Sequence, residues 1–481
     1  MAESHVMSTV SFEAQLAHAQ QLWQHDDVVA CEALLRDLLA RDPAHEEATF
    51  LLAQLLQTQG RLDAAAALVG HWCRLRDFGL QASSRAAEFI RQCHRQALAD
   101  KVCEAALARR EETADFLVLA GHVAREVGDF ARARAHYSAA LAAGVDLNAS
   151  FVLGALANTV HHEDASHPDF AKLLAHFGNG DAPPRARAAT GFGLAKAYDD
   201  IGDRKSAAAI LREANALVRS TQPWPAAEWR EFVVRRKHEH VVAARNDKFA
   251  DFVPVFVLGL PRSGTTLTAT RVAAHPRARD RGELRTLRFI ANQLIAGNHL
   301  GDTAAIEEGA ALYHAHARQD DAPATWYIDQ DPLNFRYLHV IAAMFPHARV
   351  VLCQRDRRDT ALSLWSQDFA HADCGFAYAF ADIADYMAGF DELIAHWQRT
   401  LPLPIHISNY EDFVADPAHT LAQLRAFIGM PDGETGTQGA PAPINSSSIW
   451  QARQPVYTRS VERWRAYAPF VPELDRFPTR S

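Results

Sequence analysis

The chain has 481 residues, 48% of them hydrophobic and 22% charged, with a net charge of −9 and a pI near 6.2. These are the proportions of ordinary globular protein, at a length that allows two or three domains with separate cores. The acidic balance excludes a whole-chain nucleic-acid binder, and no apolar run reaches the ~20 residues of a membrane-spanning helix.

The first ten residues, MAESHVMSTV, lack a basic patch followed by an apolar core, so no secretory signal is expected and a cytoplasmic protein is the default. The six cysteines are scattered without C-x-x-C spacing, which predicts reduced, mostly buried thiols. From residue 11 to about 220 the pattern is helix after helix, with Ala and Leu recurring at i, i+3, i+4 and i+7. Gly60, Gly128 and Gly202 each sit in a helix–helix turn. Each is followed five residues on by a small residue: Ala65, Ala133 and Ala207. Gly60 and Gly128 are 68 residues apart, twice 34, a period that points to tetratricopeptide-like helix pairs. The stretch near His94 is degenerate, and His161 to Pro184 reads as a loop between units. The pair His161/His162 lacks a Cys or third His at ligand spacing, so no metal is expected. A solenoid of this kind holds a peptide or protein on its concave face by fold analogy. Its helical surfaces also allow a homodimer.

Near Pro223 the repeats end, and a charged helix from Glu228 to Arg245 bridges to the next region. We therefore divide the chain into helical repeats (11–222), a linker helix (223–250) and a second domain (251–481). From residue 252 short apolar strands alternate with helices: Val255–Leu258, Ala278–Asp280, Trp326–Asp329, Arg349–Cys353 and Ile405–Ser408. The expected fold is therefore an all-α solenoid followed by an α/β domain with a parallel sheet, whose ligands bind at the carboxyl ends of the strands.

The first strand runs into Gly259-Leu-Pro-Arg262-Ser263-Gly264-Thr265-Thr266, which opens a helix. Backbone N–H groups of such a loop, with a helix N-terminus behind them, cradle a phosphate. The ATPase pattern demands Lys after the second glycine, and here that position is Thr265. The cation is instead Arg262, whose guanidinium can fork onto a phosphate or sulfate. A second constellation, Arg355-Asp-Arg-Arg-Asp359 with Ser363 eight residues after Arg355, places a strand-end Arg and a helical Ser to converge on a separate phosphate.

These motifs, with His275-Pro276, Gly282-Glu283-Leu284 and Asp329-Gln-Asp-Pro-Leu-Asn334 between them, resemble the tetratricopeptide-containing sulfotransferases that use 3′-phosphoadenylyl sulfate (PAPS). They are also similar to tyrosylprotein sulfotransferases. The resemblance implies transfer of a sulfuryl group from PAPS to an acceptor hydroxyl, with protein or peptide tyrosine the favoured acceptor and no metal. It implies Glu283 as the base that deprotonates the acceptor. Arg262 and Ser448 would meet the transferring group. Ser263, Gly264, Thr265 and Thr266 would cradle the 5′-phosphosulfate, Arg355 and Ser363 the 3′-phosphate, and Tyr410 and Arg463 would add donor contacts. One departure stands out: the family's Lys in D-K-x-P is Gln330 here, which can donate a hydrogen bond but adds no charge. Arg453 is a candidate substitute. The alternative is a catalytically weak scaffold that binds a protein through its repeats and only docks the nucleotide. A phosphate-binding-loop kinase is a third reading, disfavoured by the absent lysine.

Overall fold

The structure, a computed structural model, describes residues 11–25, 27–75, 79–109, 112–241, 249, 251–320, 322–369, 372–431 and 460–478. They form two compact units, Met1–Glu112 with Arg318–Ala322, and Thr113–Ala317 with Pro323–Ser481.

The first unit contains α1 (Phe12–Gln24), α2 (Val28–Arg41), α3 (Glu46–Thr58), α4 (Leu62–Leu75), α5 (Leu80–Gln92) and α6 (Gln96–Ala108). Successive helices pack as the pairs α1/α2, α3/α4 and α5/α6. Helix starts are set by side-chain caps: Ser11 accepts from the Ala14 N–H and Asp27 from the Ala30 N–H. The α3–α4 turn needs a left-handed residue, and Gly60 supplies it at φ 74°. At the α5–α6 turn, 34 residues on, the same place is taken by His94 at φ 58°. The degenerate stretch is thus a regular repeat with the glycine replaced, at a cost of about 1–2 kcal/mol. Ala65, at the offset read from sequence, is buried, as are Val69 and Trp72 on the same helix. Within this unit, the Asp320 carboxylate accepts from the N–H groups of Asp63 and Ala64 at the start of α4, both at 2.7 Å.

The second unit opens with more helices: α7 (Ala114–Val127), α8 (Phe130–Ala142), α9 (Leu147–Ser150), α10 (Val152–Ala157), α11 (Pro168–Phe177), α12 (Pro184–Asp200), α13 (Arg204–Thr221) and α14 (Ala226–His238). Gly128 and Gly202 turn α7 into α8 and α12 into α13 at φ 92° and 85°. Ala133, Tyr137, Ala140, Ala207, Leu211 and Ala214 are all buried between their helices. The region expected to be a loop from His161 to Pro184 contains α11 instead. His167 caps it, Pro168 occupies its first turn, and Phe170, Leu173 and Phe177 bury one face. The bridging helix is α14, which ends at His238 with Glu239 extended at its C-cap, short of the expected Arg245; residues 242–248 lie outside the described residues.

The rest of this unit is the α/β domain. Its strands are β1 (Val253–Gly259), β2 (Ala278–Asp280), β3 (Trp326–Asp329), β4 (Arg349–Gln354) and β5 (Ile405–Asn409), in the order β2-β3-β1-β4-β5 with every pairing parallel. Its helices are α15 (Thr265–Val272), α16 (Thr286–Ala296), α17 (Thr303–Arg318), α18 (Leu338–Met344), α19 (Arg357–Trp365), α20 (Phe380–Thr400), α21 (Tyr410–Ala415) and α22 (Pro417–Ile428), followed by a last helical turn, Trp464–Tyr467. Val255, Val257, Ile328 and Val351 face one buried core with α15 and α22. Phe256, Leu258, Tyr327 and Leu352 face the other, which is continuous with the cores of α10 to α14. Burial on both faces explains why the strands read as unbroken apolar runs. The chain leaves β1 toward β2 on one side and, after β3, crosses to β4 on the other. The carboxyl end of β1 is thus the switch point where such sheets bind ligands. Among the described residues no helix is long and apolar enough to cross a membrane.

Candidate active site

The loop after β1 is held in a conformation few residues adopt. Arg262 has φ 72° and Gly264 has φ 100°. A Cβ at Gly264 would stand 2.8 Å from the Tyr410 ring, so the glycine is required twice over. Arg262 Nε donates to Ser363 Oγ at 3.0 Å, although the two residues are 101 positions apart. Arg355, at the end of β4, donates to the Arg262 carbonyl at 3.2 Å and to the Ser460 carbonyl at 2.6 Å, and lies 4.8 Å over the Tyr410 ring. The two anion motifs read from sequence are therefore one site. Arg262, Arg355, Ser363 and Tyr410 are brought together at the carboxyl ends of β1, β4 and β5. Among the described residues, the buried Ser263 Oγ and Arg355 Nε have no hydrogen-bond partner. Buried polar atoms left unsatisfied beside a cradle of amides and guanidinium groups fit a polyanionic ligand.

The other charges of the second motif do not form a surface ion-pair cluster. Asp356 caps α19, accepting from the N–H groups of Arg358 and Asp359. Arg357 pairs with Asp391, while Arg358 stacks 4.4 Å over Trp464 and donates to the Phe477 carbonyl. Buried Asp359 accepts from the N–H groups of Glu462 and Trp464 at 2.7 and 2.8 Å, pinning the C-terminal segment beside Arg355. Arg463, expected as a donor contact, is ion-paired with Asp199 of α12 at 2.9 Å. Ser448 and Arg453 lie outside the described residues.

Glu283 stands at the ends of the neighbouring strands β2 and β3. Gly282 turns the chain at φ 65°, its N–H donating to Asp280 at 2.9 Å. On either side of Glu283 the backbone is tied to β3: the Gly282 carbonyl accepts from the Gln330 N–H at 2.8 Å, and the Leu284 N–H donates to Asp329 Oδ1 at 3.3 Å. Asp329 also accepts from the Asp331 N–H at 3.0 Å, and its second oxygen accepts from the Tyr313 hydroxyl of α17 at 3.0 Å. Burial, then the carboxylates of Asp331 and Asp329, lift Glu283 from 4.5 to about 8 against the opposing charge of Arg285. Burial and Asp331 lift Asp329 to about 8 as well. A half-buried carboxyl titrating near neutrality is suited to proton abstraction. Gln330, next to Asp329 and Asp331 in the chain, is buried, and its Oε1 has no hydrogen-bond partner among the described residues.

Asp329 was marked from sequence only as an acid at a strand end, without a role, and Tyr313, Asp359 and Asp199 were not singled out. Asp329 and Asp359 stand inside motifs already quoted, where an aspartate beside a strand end was the available signal. Nothing local marks Tyr313 or Asp199.

Elsewhere in this unit, His162, His167 and Asp169 offer ligand atoms within 4.8 Å of one another, so the fold sets His167, rather than the paired His161, beside His162. Arg134 holds both oxygens of Asp169 at 2.9 Å, and Asp200 takes His162 Nδ1 at 3.0 Å. Burial opposes a charge on His162, but its hydrogen bonds to Asp169 and Asp200 outweigh that and raise its pKa. With Lys196 on Asp200 at 2.6 Å, these side chains make an alternating charge network.

Residues 254–434 match the family described as the sulfotransferase family. The chain carries a sulfotransferase-family domain. The chain is 29% identical over 314 residues to an uncharacterized protein of Aquifex aeolicus (strain VF5), covering 60% of this chain and 41% of that one. It thus spans about two fifths of that relative's length. It is 26% identical over 260 residues to protein-tyrosine sulfotransferase 1 of Danio rerio, covering 47% of this chain and 69% of that one. A crystal structure of a tetratricopeptide repeat protein from Parabacteroides merdae overlaps with a TM-score of 0.32 at 16% identity, covering 47% of this chain and 84% of that chain. That overlap is too slight to define the fold, which rests on the helix pairs themselves.

Proposed function

We propose that the protein transfers the sulfuryl group of PAPS to an acceptor hydroxyl, with Glu283 as the general base and a protein or peptide tyrosine as the acceptor. The observation that carries this reading is the Arg262–Ser363 contact, buttressed by Arg355 on the Arg262 carbonyl. It joins two anion-binding motifs into a site for a nucleotide bearing phosphate at two positions, which a single phosphate-binding loop would not require. Glu283 takes the acceptor's proton as the acceptor oxygen bonds to sulfur. The bond from sulfur to the bridging phosphate oxygen then breaks, and 3′-phosphoadenosine 5′-phosphate departs. Arg262 and the loop amides offset the charge spread over the sulfuryl oxygens, as cations do in phosphoryl transfer. The tyrosine acceptor is supported by the similarity to the Danio rerio protein.

Two measurements test the reading. 3′-Phosphoadenosine 5′-phosphate at ~100 times its Kd should add about 2.7 kcal/mol to stability, visible as a higher Tm that Arg355→Ala abolishes. Radiolabelled sulfate should pass from PAPS to tyrosine peptides with wild type and not with Glu283→Ala. Absence of the thermal shift in wild type overturns the donor assignment. Binding without transfer to any peptide or small phenol leaves the nucleotide-docking scaffold as the better description, which the neutral Gln330 favours.

A further inference from the structure

A residue of the helical region holds the C-terminal segment that packs beside Arg355. Asp199 lies in the last turn of α12, more than 260 residues before the segment it holds. One of its oxygens takes Arg463 Nη2 at 2.9 Å, and the other takes the Tyr467 hydroxyl. Residues 463 and 467 are one helical turn apart, so a single carboxylate grips one face of the turn Trp464–Tyr467. Arg204, opening α13, is ion-paired with the same carboxylate at 3.1 Å and also donates to the Asp199 carbonyl. The opposite side of the segment is held by Asp359, through the N–H groups of residues 462 and 464. Between these two holds Glu462 is forced to φ 56°, a conformation that persists only where its surroundings over-determine it. The upstream end of the segment, Ser460, gives its carbonyl to Arg355.

From this geometry we infer that Asp199 is a positioning residue for nucleotide binding. It orients Arg463 and seats residues 460–467 against Arg355 and α19, where the far phosphate of the donor is held. The inference rests on the donor site proposed above. Its consequence is that helices α12 and α13, which look like repeat structure, are part of the nucleotide-binding apparatus.

Asp199→Asn keeps the size of the side chain and removes the charge. It should raise the donor KM, and the Kd of 3′-phosphoadenosine 5′-phosphate measured by calorimetry, about tenfold or more, while the acceptor KM stays as in wild type. Asp199→Glu, which restores the charge, should recover at least part of that affinity. In the Arg463→Ala background Asp199→Asn should add little, because the two act as one unit. If Asp199→Asn does not melt cooperatively, Tyr467→Phe removes the second hold while leaving Arg463 paired, and should weaken nucleotide binding in the same direction. Wild-type nucleotide affinity in Asp199→Asn or, where that variant does not fold, in Tyr467→Phe would overturn the role of Asp199. So would full additivity with Arg463→Ala. A wild-type protein that does not bind the nucleotide would overturn the donor site itself, a distinct result.

Discussion

Replacing Glu283 by Gln should abolish sulfate transfer and make the protein more stable in alkali. Below pH 4.5 the carboxyl is protonated in the folded and unfolded chain alike, so the variant is neutral there. Between pH 4.5 and about 8 the unfolded chain has released the proton while the folded chain keeps it, so wild-type stability falls as pH rises through this window. Lifting a carboxyl from 4.5 to about 8 opposes its ionisation by about 5 kcal/mol. Asp329 is lifted by the same cluster, so the acids share this cost and Glu283 alone accounts for only part of it. Glutamine mimics the protonated acid and escapes the penalty. At a few degrees per kcal/mol, Glu283→Gln should melt about 5 °C or more above wild type at pH 9 and level with it at pH 5. Thermal unfolding of both proteins without nucleotide, at pH 5, 7 and 9 and constant salt, reads this directly. An equal or lower Tm for the variant at pH 9 would refute the claim that this carboxylate is confined among like charges. Activity is the companion measurement: wild-type kcat/KM should climb with pH, reach half its plateau near pH 8 and level off above it, and the variant should lose ~10²–10⁴ in rate.

Asp329→Asn removes one of the charges that lift Glu283, so the rising limb of the kcat/KM profile should move to lower pH by about one unit; an unmoved limb would show that burial alone sets it. Gly264→Ala must place a Cβ against Tyr410 from a left-handed backbone, so it should lower Tm by several degrees and weaken nucleotide binding about tenfold or more, as read by calorimetry. Gln330→Lys restores the cation of the family pattern next to Asp329 and Asp331; kcat should rise about tenfold or more, and a fall would show that another cation already fills that role.

The elements were legible because their signals are local. Glycines at Gly60, Gly128 and Gly202 mark turns that need positive φ, and strands such as Val255–Leu258 are continuous apolar runs because both faces are covered. His94 was unreadable as a repeat position because a non-glycine was placed where backbone strain is tolerated by packing. Helix α11 was missed because the count of His, Asp, Gly and Pro outweighed an apolar face only three residues deep, Phe170, Leu173 and Phe177. The anion site was half legible. Arg262, Arg355, Ser363 and Glu283 each follow a strand end, and in a parallel sheet the strand ends converge. What converges beyond that, Asp199 on Arg463 and Tyr313 on Asp329, depends on which helix lies over which strand, and no local pattern encodes it.

Gln330 and the behaviour of Glu283 are two views of one electrostatic fact. A lysine at position 330, the residue between Asp329 and Asp331 in the chain, would bring a positive charge into this acidic turn and oppose the rise of its carboxyls. With a neutral amide there, nothing at that position opposes burial and mutual repulsion, and Glu283 rises to about 8. The loss on the electrophilic side is then offset in part on the basic side, since a carboxylate of higher pKa is the stronger proton acceptor once ionised. The cost appears as a smaller ionised fraction near neutral pH. If the proposed function holds, such a chain should work best in mild alkali and depend more heavily on Arg262 for the sulfuryl charge. It should gain from Gln330→Lys both a faster turnover and a base that ionises at lower pH. Those two changes have a common cause and should appear together.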